Sequence, residues 1–165
     1  MQLSDLPLRI QFVFESIPDQ AKRIRYYRET DGDKLSYESK FKYNKHWFSL
    51  ELNSSGTIED IEVVIKKRQL PPNVLNTINS YLSENSDKFE LIKIQEQYLF
   101  NSEKSKVEFI NSILDNRVSI NSNYEIIVAI KSERSWELKE MTFDTKGVFL
   151  NARNLQQDSY EYIMY

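Results

Sequence analysis

The chain contains no cysteine, which removes disulfides, thiolate metal sites, iron–sulfur clusters and a cysteine nucleophile together. It has no apolar run near the roughly 20 residues that a membrane-crossing helix needs, so no such span is expected. The only histidine is His46, so any catalytic triad or imidazole metal site would have to include it. Gly32, Gly56 and Gly147 are the only glycines; they lie too far apart to form a phosphate-cradling loop and read as turn positions. Nor is there an excess of positive charge. With a net charge of −3 and a pI near 5.4, the chain has no global attraction to nucleic acid or anionic membrane. The start, Met1-Gln2-Leu3-Ser4-Asp5, has neither a basic nor an apolar segment of the kind that directs export. Two readings follow: a cytoplasmic protein, or a mature form whose export signal has been removed.

What is present is an ordinary globular composition over 165 residues, enough for one compact domain or two very small ones. Ten tyrosines and nine phenylalanines with so few glycines favour strands that pack bulky side chains over a loop-rich fold.

Leu6-Pro7 opens the first element, since proline suits the first turn of a helix. Leu6, Ile10, Val13, Phe14 and Ile17 follow at helical spacing up to Pro18. Residues 22–28 read as a strand and Thr30-Asp31-Gly32-Asp33 as its turn. Over 35–43, Leu35, Tyr37, Phe41 and Tyr43 alternate with Ser36, Glu38, Lys40 and Lys42. Asn44-Lys45 makes a tight hairpin turn into a strand with Phe48, Leu50 and Leu52 on one face and Trp47, Ser49 and Glu51 on the other. A turn at Asn53-Ser54-Ser55-Gly56 precedes a fourth strand with Ile61, Val63 and Ile65 in phase.

The order then begins again. Leu70-Pro71-Pro72 opens a helix with Val74, Leu75, Ile78, Tyr81 and Leu82 on one stripe, and a strand with Ile92 and Ile94 follows. An added helix at about 103–117 groups Val107, Ile110, Ile113 and Leu114. Tyr124, Ile126, Val128 and Ile130 then alternate with Glu125, Ile127, Ala129 and Lys131. Met141 and Phe143 lead through Asp144-Thr145-Lys146-Gly147 to Val148, Leu150 and Ala152. Aligned on Gly56 and Gly147, Leu50 and Leu52 match Met141 and Phe143, and Trp47 matches Leu138.

The expected fold class is therefore α+β, with two tandem units of one helix on a four-stranded antiparallel sheet. Repeat one is expected at 1–68 and repeat two at 69–165, with a helical insertion at about 102–118 in the second. A lone unit of this size has little core. One continuous sheet, with helices on one face and the other face open, would bury edges that separate units leave bare.

The order of Leu-Pro helix, strand, Tyr-Glu strand and apolar strand ending at a glycine turn resembles the PepSY-like domain. It runs through Leu6-Pro7, Ser36-Tyr37-Glu38-Ser39-Lys40-Phe41, Phe48-Ser49-Leu50-Glu51-Leu52 and Ser55-Gly56. It returns at Leu70-Pro71, Asn123-Tyr124-Glu125-Ile126-Ile127-Val128, Met141-Thr142-Phe143-Asp144 and Lys146-Gly147. In particular, the chain resembles the exported two-repeat PepSY-like proteins of Bacteroidetes-type bacteria, related in shape to the beta-lactamase inhibitor protein. The resemblance implies tandem helix-on-sheet units, a periplasmic or otherwise exported location, and protein binding or inhibition of a peptidase or other enzyme. It offers no catalytic residues to carry over. The chain departs from the pattern in its helical insertion and in Lys139, which stands where the first copy has Phe48.

Residue chemistry points the same way. His46 sits beside a hairpin turn, an ordinary place for a solvated polar residue. Asp31-Gly32-Asp33 lacks the alternating acidic series of a calcium loop and reads as a turn. Glu38, Glu51 and Glu125 alternate with apolar residues, as on a wet sheet face; a carboxylate pair of the glycosidase kind would need a pocket to support it. Lys22, Arg23, Arg25 and Arg28 with Tyr26 and Tyr27, plus Lys66-Lys67-Arg68, form the best case for nucleic acid, but the acidic total speaks against it and none is expected. No cofactor, metal or catalytic residue is expected. Trp47 must point away from the helices, and with Tyr27, Arg25 and Leu138 it forms the candidate surface for a protein or peptide partner. Tyr160, Tyr162 and Tyr165 of the tail could instead cover Trp47. The expected function is a non-enzymatic binding module of open oligomeric state; the alternatives are an enzyme using dispersed carboxylates or an envelope-associated structural protein.

Overall fold

A computed structural model describes residues 1–116 and 121–155. Among the described residues, eight strands follow one another in chain order: β1 Lys22–Asp31, β2 Lys34–Tyr43, β3 His46–Asn53, β4 Ile58–Ile65, β5 Lys88–Leu99, β6 Asn123–Ser132, β7 Ser135–Asp144 and β8 Phe149–Asn154. Among the described residues three helices accompany them: α1 Leu8–Phe14, α2 Pro72–Glu84 and α3 Lys106–Asn111, the last continuing as a π-helical segment over Ser112–Asn116. The order of elements is the one expected from the sequence. The ladders β1–β2–β3–β4 and β5–β6–β7–β8 are antiparallel.

The chain forms two compact units, each with its own core. Unit one comprises Met1–Val63 and the described part of Tyr98–Ile120; unit two comprises Val64–Gln97 and the described part of Asn121–Tyr165. This differs from a division at residue 68. The stretch expected as an insertion in the second repeat packs into the first unit, because Phe109, Ile110, Ile113 and Leu114 join one core with Ile10, Phe14, Phe41, Phe48, Leu50 and Leu52. The short α1 covers too little of these strands on its own, and α3 supplies the remaining apolar area. Ser105 starts it with a capping box: its Oγ accepts from the Glu108 amide at 3.2 Å, and its own amide donates to Glu108 Oε2 at 3.0 Å.

In unit one the residues expected on the helix stripe, Leu6, Ile10, Val13, Phe14 and Ile17, are all buried. In unit two Val74, Ile78 and Leu82 of α2 are buried against Ile94, Tyr124, Ile126, Val128, Ile130, Met141 and Phe143. Four positions depart from the sequence reading. Ile92 is exposed because β5 bulges between Leu91 and Lys93 and turns it off the ladder. Val148 and Leu150 are exposed while Phe149 stacks on Tyr81, ring centroids 4.5 Å apart, because the β7–β8 register shifts at Phe143. Val107 is exposed and Phe109 takes its place in the core.

The units share local detail that follows from their matched residues. In each, a short 3-10 turn precedes a buried leucine and a proline: Leu3–Asp5 before Leu6-Pro7, and Lys67–Gln69 before Leu70-Pro71. The Gln2 amide donates to Asp5 Oδ2 as the Lys66 amide donates to Gln69 Oε1. After the third strand, Asn53 Oδ1 accepts from the amides of Ser55 and Thr57, and Asp144 Oδ1 accepts from those of Lys146 and Val148. Gly56 and Gly147 have φ of 82° and 85°. A Cβ on Gly56 would stand 3.0 Å from the carbonyl oxygen of Arg9, and one on Gly147 only 2.7 Å from that of Val74. Both ladders shift register just before this turn, at Glu51/Leu52 and at Thr142/Phe143.

Candidate functional site

The face of unit one turned away from its helices is set by strand alternation. If Tyr37, Phe41, Phe48, Leu50 and Leu52 enter the core, their neighbours must point the other way. Asn44 and Lys45 both take positive φ, 45° and 68°, giving a two-residue turn that places Tyr43 opposite His46. That turn fixes every pairing between β2 and β3, so that Glu38 lies opposite Glu51 and Lys42 opposite Trp47. On either side, Tyr27 lies opposite Glu38 and Asp60 opposite Glu51. One row across the four strands therefore reads Tyr27, Glu38, Glu51, Asp60. The next reads Arg25, Lys40, Ser49, Glu62.

Like charges directly opposite one another repel, and three carboxylates stand in a single row. Burial pushes the Glu51 carboxyl up to about 7; the Glu62 and Glu38 charges add to that, while a hydrogen bond from Ser36 and the Lys34 charge oppose it. Lys40 is buried in their midst, its Nζ 3.4 Å from Glu38 Oε2. Burial works against its charge, but Glu38, Glu29 and Glu62 outweigh that, and its pKa rises above the ordinary lysine value. Ser49 Oγ donates to Glu38 Oε1.

This face is less open than the sequence reading expects. Ser36, Lys40, Ser49, Asp60 and Glu62 are buried. Long side chains lie across it: the Arg23 guanidinium stands 6.0 Å from the centre of the Trp47 ring, and Lys40 Nζ 5.4 Å from that of Tyr27. Trp47 and Tyr27 are half-buried, and Arg25 is exposed. The structure brings these three to one face. Leu138 lies in unit two, on β7 opposite Ala129, half-buried beside Ile127 and an ion pair between Arg153 and Glu140. Tyr160, Tyr162 and Tyr165 lie outside the described residues. His46 Nδ1 donates to the carbonyl oxygen of Asn44 at 2.9 Å, which ties the ring to its own hairpin.

The carboxylate row was within reach of the sequence. Once Asn44-Lys45 is taken as a two-residue turn, counting outward along both arms brings Glu38 against Glu51 without further information. The burial of the row was not within reach. Unit two lacks the row, since Thr142 occupies the position of Glu51 and lies opposite Glu125. A depression of about 450 Å³ lies in unit two among Ser83, Ser86, Asp87, Lys88, Phe89, Glu90 and Trp136, and none of the row's carboxylates lines it.

No family model and no curated protein sequence matches the chain. Solved structures do. A DUF2874 family protein from Bacteroides ovatus superposes with a TM-score of 0.57 at 14% identity, over 93% of this chain and 92% of its own. A DUF2874 family protein from Bacteroides uniformis gives 0.54 at 11% identity, over 90% and 89%. A Bacteroides eggerthii protein, provisionally described as periplasmic, gives 0.53 at 11% identity, over 90% and 88%. At these identities the likeness is one of fold: the chain has the α+β architecture of these Bacteroides proteins, in keeping with the resemblance drawn from its motifs.

Proposed function

We propose that the protein is a non-enzymatic, exported binding module that holds a protein or peptide against the unit-one face carrying Trp47. The observation that carries this reading is the placement of the large aromatics. Trp47 and Tyr27 are kept out of the core, half-buried and each beside a cation, on strands whose alternate residues fill that core. Aromatics with nearby arginine are the side chains that dominate protein interfaces. The carboxylates on the same face disfavour a nucleic-acid backbone as the partner. The location is proposed from the motif resemblance and from the description of the Bacteroides eggerthii protein.

The test compares wild type and Trp47→Ala as immobilised baits in a periplasmic extract, with bound species quantified by mass spectrometry. Loss of at least one specific species with Trp47→Ala is expected; equal recovery of every species by both baits would sink the reading. One observation favours a second reading. Glu51, with its pKa held at about 7 among other carboxylates, has the proton affinity of a general acid or base. If the protein is an enzyme using this row, Glu51→Gln abolishes a turnover that Trp47→Ala leaves measurable.

A further inference from the structure

β1 ends the sheet, and among the described residues it pairs with β2 alone. It is ten residues long, and such an edge presents a row of backbone donors and acceptors to any strand of matching character. Proteins often blunt such an edge with charge of one sign. Here the signs are separated along the strand: Lys22, Arg23, Arg25 and Arg28 come first, and Glu29 and Asp31 last. An antiparallel copy of the same strand reverses that order and brings opposite charges together.

We propose that two copies of the chain associate through the outer edges of β1, antiparallel, about a two-fold axis at Tyr27. For the two sheets to join with like faces on the same side, residues directly opposite must belong to the same face. Register with β2 places Arg25, Tyr27, Glu29 and Asp31 on the face away from the helices and Tyr26, Arg28 and Thr30 on the other. Only axes through a residue satisfy this condition, and three of them lie near the strand's centre. An axis at Arg28 pairs Arg25 with Asp31 at the strand ends, but it sets Arg28 against itself at its centre and leaves Glu29 facing Tyr27. An axis at Tyr26 sets Arg25 against Tyr27, with no charge to answer its own across the seam. An axis at Tyr27 sets Arg25 against Glu29 of the second copy, twice, with the Tyr27 rings side by side and Tyr26 against Arg28 on the other face. Arg23 stands outside this ladder. It takes a φ of 57° in the bulge between Lys22 and Arg25, and its guanidinium lies over Trp47. The contact is isologous, so it closes as a dimer and does not propagate. Its regular span, Arg25 to Glu29, is short, which makes it a weak association of the kind small interfaces give.

Sedimentation equilibrium up to about 500 µM, the range suited to a small interface, tests it. Wild type is expected to dimerise. Arg25→Glu sets acid against acid and Glu29→Arg sets base against base, so each alone is expected to associate at least tenfold more weakly than wild type. In an equimolar mixture of the two variants, one pairing sets the introduced glutamate against the introduced arginine. The other pairing keeps native Glu29 against native Arg25, so dimers are expected to return. Circular dichroism checks that each variant is folded, and the double variant Arg25→Glu/Glu29→Arg in one chain gives a second restoring arm. A wild type that stays monomeric, single variants that dimerise as wild type does, or a mixture and double variant that both stay monomeric would each overturn the proposal.

Discussion

The Glu51 carboxyl has a folded pKa of about 7, above the ordinary 4.5, so the folded state binds its proton more tightly between those values. Its contribution to stability is complete below about pH 4.5 and is lost as pH rises through 7. At roughly 1.4 kcal/mol per unit the loss is on the order of 3 kcal/mol, lessened because Glu38 and Glu62 relax in response. Glu51→Gln is therefore expected to be more stable than wild type at about pH 8, by about 2 kcal/mol, and about equal near pH 4.5. Urea midpoints at the two pH values measure this; a variant with the pH dependence of wild type refutes it. The turn glycines give a second expectation. Alanine at Gly56 or Gly147 costs about 1–2 kcal/mol for its positive φ. Gly147→Ala should cost more than Gly56→Ala, because its Cβ would lie 2.7 Å from a backbone oxygen, against 3.0 Å. Thermal melts of the two variants rank them.

At the scale of elements, α3 decides how the chain is divided. Ile113 is fully buried in the core that contains Leu50 and Phe41. Ile113→Ala is expected to cost about 2–5 kcal/mol and to speed amide exchange in β2 and β3 ahead of β6 and β7. Faster exchange in β6 and β7 instead would return the helix to the second repeat. The sequence could not assign this helix to a unit. Its periodicity shows that one face is apolar, but nothing local says which sheet that face meets. Strand order and the stripes of α1 and α2 were legible because alternation and helical spacing are local properties. Local periodicity does not place Ile92, Leu150 and Val107, because a bulge, a register shift and a change to π-helical geometry break the period there. The placement of Trp47 and Tyr27 outside the core came directly from alternation. The burial of the polar face did not, because it depends on how far Arg23 and Lys40 reach across neighbouring strands.

For the molecule as a whole, a chain without cysteine has the same covalent structure in a reducing and an oxidising compartment. Its melting temperature is expected to be unchanged by dithiothreitol, and in source cells the protein is expected in the periplasmic fraction. Recovery with the cytoplasmic fraction alone would refute export while leaving the Trp47 test standing. Partner capture and pairing through the β1 edge share Tyr27 and Arg25, but Trp47 lies on β3 outside the β1 seam, so Trp47→Ala reads the first without changing a seam residue and the Arg25/Glu29 exchange reads the second by its restoring arms.

The Asn44-Lys45 hairpin fixes more than a bend. Inserting a single residue there would slide one arm past the other by one step, so that Glu38 came to oppose Leu52 and every acid on that arm traded places with a core side chain. Homologous chains that keep this fold should therefore show loop-length variation at their other hairpins long before they show it here.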